Sequence, residues 1–333
     1  INSYVYPQYP MEKIMDTMRP IYEKAVADAK AADTPEKRRG VGIAWGGFNV
    51  TEGGGDSAEV ALELMPGNKI RKYDTWHAMG QGATTGSLVV TLEALKEMHL
   101  TPEDIQLIQN DTKTCPDTGM AGASRSLYMD GNATIIAANK LLAAMRKEDG
   151  TLRTYDEMKA EGIETKYLGR YETNTTPGLC RLDPNTGIGD PTPAFTYCLN
   201  LAEVEVDTKT GKTTVLKFTC VDFVGRIGNI DAVNGQAYGG ISHSIGFALK
   251  EDYADVKKHA NMFGAGTSYI KDVPDDINLI HIDGAISDGP FGSSGASEAF
   301  QASGHCAVLN GIYNACGVRI HEIPALPEKV KAG

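Results

Sequence analysis

The spacing of apolar and polar residues predicts both helices and strands along the chain. Residues 11–32 place apolar side chains at helical intervals among charged ones, which predicts an amphipathic helix with a kink at Pro20. Residues 202–207 and 213–220 alternate between apolar and polar on either side of a short polar turn, which predicts a β-hairpin. Further strands are expected at 40–50, 58–65 and 69–76.

Four segments share one design, in which a Gly-rich or Ser-rich loop precedes a stretch of helical periodicity. They begin at Met79, Gly119, Asn234 and Gly289. The apolar residues predicted to share a helix face are, in order, Leu88, Leu92 and Leu95; Ile135, Ala138, Leu142 and Met145; Ile241, Ile245 and Ala248; and Val308, Ile312 and Ala315. Together with the strands, these units indicate an α+β fold with two lobes of mixed sheets covered by helices.

The middle of the chain differs in composition from the rest. Residues 146–165 are rich in charge, and residues 172–193 are rich in Thr, Pro, Gly and Asn. Such a segment is typical of a domain boundary or a long surface excursion. We therefore expect a first lobe over residues 1–165 and a second over residues 166–333, with interleaving of the two lobes left open.

Charge and composition limit the class of protein. The 333 residues carry a net charge of −11, and their basic runs are short, whereas nucleic-acid binders normally present a basic face. No run of about 18 apolar residues and no signal peptide is present, so we expect a cytoplasmic protein without a membrane span. Because the chain begins at Ile1 rather than Met, we expect a fragment, a processed subunit or a trimmed chain.

Cysteine and histidine patterns give no metal motif. The six cysteines form no CxxC pair, and the seven histidines form no HExxH motif, which argues against zinc-ribbon, iron–sulfur and zinc-protease sites in this chain. We expect the cysteines to be small buried side chains. His305 lies beside Cys306, but adjacent helical residues point in different directions, so a catalytic dyad is not expected.

The four loops are candidates for anion binding. A helix N-terminus offers unpaired N–H groups and the positive end of the dipole, and small residues let that backbone approach phosphate closely. Gln81, Ser124, Gln236 and Ser294 add polar side chains to the loops. Neither a P-loop nor the GxGxxG of a Rossmann domain is present. Two interpretations of the loops therefore remain: they bind a polar ligand that carries phosphates, or they are ordinary turns before helices.

Glu298 is the strongest candidate for a catalytic residue in the sequence. It follows a Gly- and Ser-rich loop, and Ser297 before it is a candidate N-cap, so Glu298 is expected in the first turn of a helix. The dipole there favours the carboxylate, which beside a ligand-binding loop can act as a general base. Ordinary capping by a first-turn glutamate is the alternative.

Long stretches of the chain resemble the molybdenum hydroxylases of the xanthine oxidase and aldehyde oxidoreductase family. They are MGQGATTG, QNDTKTCPDTG, AGASRS, GNIDAVNGQAYGGISHSIGFALKEDY, SYIKDVPDD, GPFGSSGASEAF and GHCAVLNGIYNACGVRI. The resemblance runs from end to end and covers the C-terminal part of the molybdopterin-binding domain. It is closest to the aldehyde oxidoreductases of anaerobic bacteria that use molybdopterin cytosine dinucleotide.

This resemblance implies a role for each matching residue. Cofactor contacts are implied for Gln81, Gly82, Ala83, Ser124, Arg125, Ser126 and Gln236, and the loop beneath the molybdenum is implied for Ser294, Gly295, Ala296 and Ser297. Glu298 matches the catalytic glutamate, which acts as the base when such enzymes oxidise aldehydes to carboxylates with oxygen from water. The pterin would carry the molybdenum, so no side chain of this chain is expected to bind it directly.

The resemblance also leads to expectations about the branch of the family and about the other parts of the enzyme. The GASE sequence at residues 295–298, which ends in Glu298, favours the aldehyde branch of the family. The alternatives are a purine or N-heterocycle hydroxylase and a non-catalytic nucleotide-binding module. His243-Ser244 replaces the family's frequent Gln-Gly, and His243 either faces the active site or packs as a capping histidine. The family's 2Fe-2S domains and the first half of its molybdenum domain are absent from this sequence. We expect them in the N-terminal part of a parent enzyme that forms a homodimer.

Overall fold

The computed structural model describes residues 6, 8–51, 55–109, 111–173, 178–286 and 288–332. Three features discussed above lie outside these ranges: Ile1, Asn110 in one of the family-like motifs, and residues 174–177 of the expected boundary segment. In the described part, no helix combines the length and apolar character needed to cross a membrane.

Strands and helices follow one another in short runs along the described chain. The strands are β1 (Lys37–Val50), β2 (Ser57–Met65), β3 (Lys69–Asp74), β4 (Ile105–Gln109), β5 (Lys166–Glu172), β6 (Ala194–Asp207), β7 (Thr213–Phe223) and β8 (Asp276–His281). The helices are α1 (Met11–Ala32), α2 (Ala83–Ala94), α3 (Ser126–Met145), α4 (Tyr155–Ala160), α5 (Ile230–Leu249), α6 (Met262–Ala265), α7 (Ser297–Gln301), α8 (Gly304–Cys316) and α9 (Pro327–Ala332). Single 3-10 turns lie at Pro66–Asn68, Lys96–Met98, Pro102–Asp104, Ile270–Asp272 and Pro290–Gly292.

The strands form two mixed sheets. The first sheet has the order β1-β6-β7-β8, with β7 and β8 parallel and the other pairs antiparallel. The second sheet has the order β4-β3-β2-β5, with β3 and β4 parallel and the other pairs antiparallel. These mixed sheets, covered by helices, confirm the α+β fold class.

The division into sheets does not follow the boundary expected at residue 165. β1 pairs with β6 along its whole length, from Lys37 opposite Asp207 to Val50 opposite Ala194. β5, which begins the expected second lobe, pairs with β2 in the second sheet. The sheets therefore interleave along the sequence, and the division into lobes 1–165 and 166–333 stays a prediction.

Helices cover the first sheet on both faces because side chains alternate along its strands. Ala202 and Val204 of β6 join one apolar cluster with α5 and α8. Leu199 and Leu201 point the other way and join a second cluster with Ile14 of α1. A third cluster lies between the second sheet, α2 and α3.

Most elements predicted from periodicity are present. α1 has the predicted bounds with Pro20 inside it, β1 to β3 start within three residues of the predicted positions, and the hairpin is formed by β6 and β7. The helix faces built on Ile241, Ile245, Val308 and Ile312 are fully buried. The cysteine expectation holds in part, because Cys198 and Cys220 are buried whereas Cys180 and Cys306 are exposed.

The third predicted loop is wrong. Residues 234–240 lie inside α5, which begins at Ile230 behind the N-cap Asn229. The cap is real, since the Asn229 side chain accepts a hydrogen bond from the Ala232 backbone N–H at 3.0 Å. Gly240 serves helix packing, because a Cβ there would lie 2.8 Å from the Cβ of Phe300, whereas a Cβ at Gly235 or Gly239 would meet no atom within 4 Å.

Candidate active site

Three of the four segments singled out in the sequence, together with Gln236 from the other, line one open cavity of about 960 Å³. We name its walls loop 1 (residues 75–82, before α2), loop 2 (residues 119–125, before α3), segment 3 (residues 224–236, from β7 into α5) and loop 4 (residues 288–296, before α7). Lining residues include Trp76, Gln81, Gly82, Ser124, Ser126, Leu127, Arg226, Asn229, Gln236, Phe291, Ser294, Gly295, Ala296, Ser297 and Glu298. The fold thus brings segments from distant parts of the chain to one site.

Glu298 lies in the first turn of α7, as predicted, and contacts loop 2. The Ser124 hydroxyl donates a hydrogen bond to Oε2 of Glu298. The backbone N–H of Glu298 donates in turn to Oγ of Ser124 at 3.4 Å. This pair fixes the carboxylate against the opposite wall of the cavity.

The predicted N-cap is wrong. Ser297 is the first residue of α7, and the N-cap position belongs to Ala296, which has no side chain able to cap. Ser124 supplies the missing acceptor from loop 2, because its hydroxyl accepts from an N–H of the first helical turn. The cap is therefore a tertiary contact, which spacing within loop 4 could not have predicted.

Loops 2 and 4 touch at Gly295. A Cβ at this position would lie 1.7 Å from the carbonyl oxygen of Ser124, so only glycine allows the approach. Ala123 and Ser124 have φ values of 50° and 49°, in the left-handed region that non-glycine residues rarely adopt. Such strained backbone is concentrated at functional sites, where the surrounding structure holds it in place.

Arg125 does not line the cavity. Its side chain is 2% exposed, and its Nε and Nη2 atoms lie 2.6 Å and 2.8 Å from the two carboxylate oxygens of Asp56. The same guanidinium donates to the carbonyl oxygens of Ser57, Thr118 and Met120. These bonds occupy all the N–H donors of the guanidinium, so Arg125 stabilises loop 2 on the side away from the cavity. A direct contact from its guanidinium to a cofactor is therefore not supported.

Loop 1 is stabilised by its own glutamine. Oε1 of Gln81 accepts from the Met79 backbone N–H, and Nε2 donates to the His77 carbonyl oxygen, both at 2.6 Å. Gly82 follows in the left-handed region with φ 87°, and α2 begins at Ala83. Ala83 is buried behind the wall, so its side chain is not part of the cavity surface.

A buried ion cluster supports loops 1 and 2. Nζ of Lys72 lies 2.6 Å from Oδ2 of Asp130 in α3 and 3.3 Å from Oδ2 of Asp74 at the end of β3. Asp74 also accepts from Oγ of Ser87 in α2 and from Nε2 of Gln109 in β4, each at 2.7 Å. Burial raises the pKa of Asp130 to about 7 against the attraction of Lys72. The cluster thus ties β3, β4, α2 and α3 together behind the cavity.

Segment 3 is held by a histidine. Nδ1 of His281 lies 2.8 Å from Oδ2 of Asp222, and Nε2 lies 2.8 Å from Oδ1 of Asn234 in α5. The hydrogen bond that the ring of His281 donates to the Asp222 carboxylate raises the pKa of His281, and burial raises the pKa of Asp222. Because Asn234 precedes Gln236 by half a turn, this contact fixes the part of α5 that faces the cavity.

Two polar atoms at the cavity wall have no partner among the described residues. They are the hydroxyl of Ser294 and the indole nitrogen of Trp76, and both are buried. Buried polar groups are nearly always hydrogen-bonded, so unpaired ones call for a ligand. With the glycine loops and the cations of Arg226 and Lys96 at the wall, the site fits a large polar cofactor that carries phosphate.

Sequence reasoning missed several wall residues. Trp76, Leu127, Arg226 and Phe291 line the cavity, although none was singled out. Arg226 could have been found, because it begins the Arg-Ile-Gly-Asn stretch between β7 and the N-cap of α5. His243 is exposed on α5 with its ring 6.2 Å from that of Phe247, and it does not line the cavity. Within the described residues, no group of three or more His, Cys, Asp or Glu could hold a metal.

A family model described as a molybdopterin cofactor-binding domain matches residues 17–274. The chain belongs to this family. It is 39% identical to an aldehyde oxidoreductase of Megalodesulfovibrio gigas over 322 residues, which are 97% of this chain and 35% of the relative. The crystal structure of the aldehyde oxidoreductase from Desulfovibrio desulfuricans superposes with a TM-score of 0.94 at 42% identity, over 97% of this chain and 35% of that one.

These similarities confirm the resemblance drawn from the motifs and the molybdopterin-binding type of fold. A probable hypoxanthine oxidase of Escherichia coli is also similar, with 29% identity over 270 residues, 76% of this chain and 28% of the relative. The chain spans about a third of the length of the curated relatives it matches.

Proposed function

We propose that the chain contributes the cofactor cavity and the catalytic base of a molybdenum enzyme that oxidises aldehydes to carboxylates. The observation that carries the proposal is Glu298, a carboxylate at the wall of the cavity that Ser124 holds by hydrogen bonds to both its side chain and its backbone. The greater identity to aldehyde oxidoreductases than to the hypoxanthine oxidase favours aldehydes over purines.

The cofactor we assign to the cavity is molybdopterin cytosine dinucleotide. Gly82 and the first turn of α2 would meet the dinucleotide with backbone N–H groups, while Ser126 and Gln236 offer side chains from two other walls. The unpaired hydroxyl of Ser294 would gain a partner beside Glu298. When bound, the cofactor supplies the two-electron redox chemistry, and the protein positions it.

In the overall reaction, an aldehyde and water give a carboxylic acid, two protons and two electrons. Glu298 would accept one of these protons, because an ionised carboxylate at the cavity wall is placed to act as a general base. Ser124 would keep the carboxylate in one orientation by donating to Oε2. The electrons would leave through 2Fe-2S domains outside this sequence, in a parent enzyme that we propose to be a homodimer.

A purine or N-heterocycle hydroxylase is the second candidate, since the hypoxanthine oxidase of Escherichia coli is among the relatives. A non-catalytic nucleotide-binding module is disfavoured by the retained Glu298. Substrate panels distinguish the first two candidates, because each predicts turnover of only its own class of compound.

The test is a Glu298→Gln substitution in the loaded enzyme that carries this chain. We expect molybdenum content and the nucleotide released on denaturation to stay unchanged, with aldehyde turnover reduced by about 10²- to 10⁴-fold, the usual contribution of a general base. Glu93→Gln is the matched control, since Glu93 also lines the cavity but lies on α2. Normal turnover in the Glu298 variant would show that the base is another group.

A further inference from the structure

Phe291 in loop 4 adopts a backbone conformation that its side chain disfavours. It has φ 54° and ψ 22°, in the left-handed region where a bulky residue is an outlier. Loop 4 contains glycine at 289, 292 and 295, and glycine would be free at this φ. Phenylalanine therefore occupies a position where the backbone conformation favours glycine.

The surrounding hydrogen bonds hold the strained turn in place. The Gly292 N–H donates to the Gly289 carbonyl oxygen at 2.9 Å, and the Ser293 N–H donates to the Pro290 carbonyl oxygen at 3.0 Å. The Gly292 carbonyl oxygen accepts from Arg226 N–H and Ile286 N–H at 2.8 Å and 2.9 Å. None of these bonds involves the ring, so they do not explain why the residue is phenylalanine.

The ring does not serve the hydrophobic core either. Phe291 belongs to none of the apolar clusters of the described residues, unlike Phe300, which is fully buried in the first cluster. Phe291 instead belongs to the residues that line the cavity together with Glu298. Because neither backbone nor core requires the ring, its role lies in contact with what enters the cavity.

Much of the cavity lining contributed by loop 4 and its neighbours is apolar. Val224, Ala285, Ile286 and Pro290 line the cavity, as does Arg226, whose backbone N–H donates to the carbonyl oxygen of Gly292 next to Phe291. An apolar wall contributes to binding by removing apolar ligand surface from water. The apolar residues of this wall fit the hydrocarbon part of a substrate, whereas Arg226 fits an anionic group of the cofactor.

We propose that Phe291 determines substrate specificity by forming the apolar wall that receives the hydrocarbon group of an aromatic aldehyde, an inference that rests on the proposed function. The strained backbone presents the ring to the cavity, and Glu298, in the first turn of the helix α7 that follows loop 4, meets the reacting end. Small aldehydes such as acetaldehyde gain little from this wall. The enzyme therefore discriminates by the size and apolarity of the group attached to the aldehyde carbon.

The first part of the test measures the unfolding temperature of the cofactor-free chain for Phe291→Ala and Phe291→Gly. The Ala variant should unfold close to the unsubstituted chain because no core contact is lost, and the Gly variant above the Ala variant because only glycine is free at this φ. His99→Gly is the matched control, since His99 is exposed with φ 52° and does not line the cavity. A marked drop in both Phe291 variants would overturn the proposal by showing a packing role.

The second part uses the loaded enzyme. The ratio of kcat/KM for benzaldehyde to that for acetaldehyde should fall by about 10-fold or more in Phe291→Gly, in line with the discrimination an apolar pocket provides. Molybdenum content and the ratio in His99→Gly should stay unchanged. An unaltered ratio in Phe291→Gly overturns the proposal, and so does a loss of molybdenum, which would assign the ring to the cofactor.

Binding without turnover separates this proposal from the proposed function. Calorimetry with benzamide and acetamide, which are neutral and unreactive analogues, should show a preference for benzamide that Phe291→Gly loses. If the unsubstituted enzyme oxidises no aldehyde but shows this preference, the proposed function fails while the apolar wall stands. If it oxidises aldehydes but shows no preference, the wall is refuted and the proposed function stands.

Discussion

At the scale of single residues, His281 couples three elements through charge. Its ring joins Asp222 at the end of β7 to Asn234 in α5, and it lies itself at the end of β8. The side chain of Asp222 is fully buried, so the hydrogen bond to a protonated ring replaces lost hydration of the carboxylate. The stability of the contact between β8 and α5 should therefore depend on whether the His281 ring is protonated.

The pKa of His281 is raised above its usual 6.5 by Asp222, which sets the sign of a pH effect. A raised pKa means that the stabilisation is fully present below the unfolded value and is lost as pH rises through the folded value. We expect His281→Gln to lower the free energy of unfolding by about 1.5–3 kcal/mol at mildly acidic pH, where the ring is a cation and Asp222 is still ionised, and by less at alkaline pH, where the ring is neutral. Denaturant unfolding across this pH range measures the difference.

His321→Gln is the control for the pH series, because His321 is exposed and makes no described contact with the site. Its effect on the free energy of unfolding should be small and the same at every pH. A His281 variant whose loss of stability did not change with pH would show that the ring acts by packing alone.

Whether the role of a residue could be predicted from the sequence depends on whether its contacts are local or are made only in the folded chain. Glu298 in the first turn of a helix could be predicted from the local pattern, because dipole and loop act within a few residues. The tertiary cap from Ser124 and the pairing of Arg125 with Asp56 could not, since each joins residues brought together only by the fold. The family motif assigns Arg125 to the cofactor site, whereas its guanidinium lies behind the cavity wall and pairs with Asp56.

At the scale of elements, α5 shows why glycine content misled the loop prediction. Clustered glycines are typical of loops, but one side of α5 packs against α7 and tolerates no side chain at Gly240. A single sequence cannot separate these two reasons for glycine, because close packing of helices is not a local property. Long periodic elements such as α1 could be predicted with their bounds, since burial of one face determines their pattern.

Neighbouring glycines of α5 provide a matched pair of substitutions. In Gly240→Ala, the new Cβ would lie 2.8 Å from Phe300 Cβ and 3.0 Å from Gln301 N, so we expect destabilisation of about 1–3 kcal/mol from overpacking. In Gly239→Ala, no atom lies within 4 Å, and alanine should stabilise the helix by about 0.5–1 kcal/mol. Free energies of unfolding from denaturant titration should change in opposite directions.

The same pair reports on the active site. Gly240 faces α7, which carries Glu298, so displacement of α7 should also lower turnover in the loaded enzyme. Gly239→Ala should leave turnover unchanged. Equal effects of the two substitutions on stability would contradict the close contact between α5 and α7.

At the scale of the whole molecule, segments that follow both sheets form the cavity, so its walls come from both the N-terminal and the C-terminal parts of the chain. Loops 1 and 2 follow strands or turns of the second sheet, whereas segment 3 leaves the first sheet at β7. β1, from the N-terminal part, pairs with β6, and β5 returns to β2. Composition predicts a boundary or a surface excursion over residues 172–193, but it contains no information on which distant strands pair.

This interleaving predicts that lobes 1–165 and 166–333 do not fold separately. The first would leave β1 without β6 and β2 without β5, and unpaired strands expose backbone groups and apolar faces that favour aggregation. Expressed alone, each half should lack a cooperative thermal transition and a dispersed NMR spectrum, whereas co-expression should give a copurifying complex with the transition of the intact chain. A cooperative transition of residues 1–165 alone would contradict this prediction and would establish that part as an independent domain.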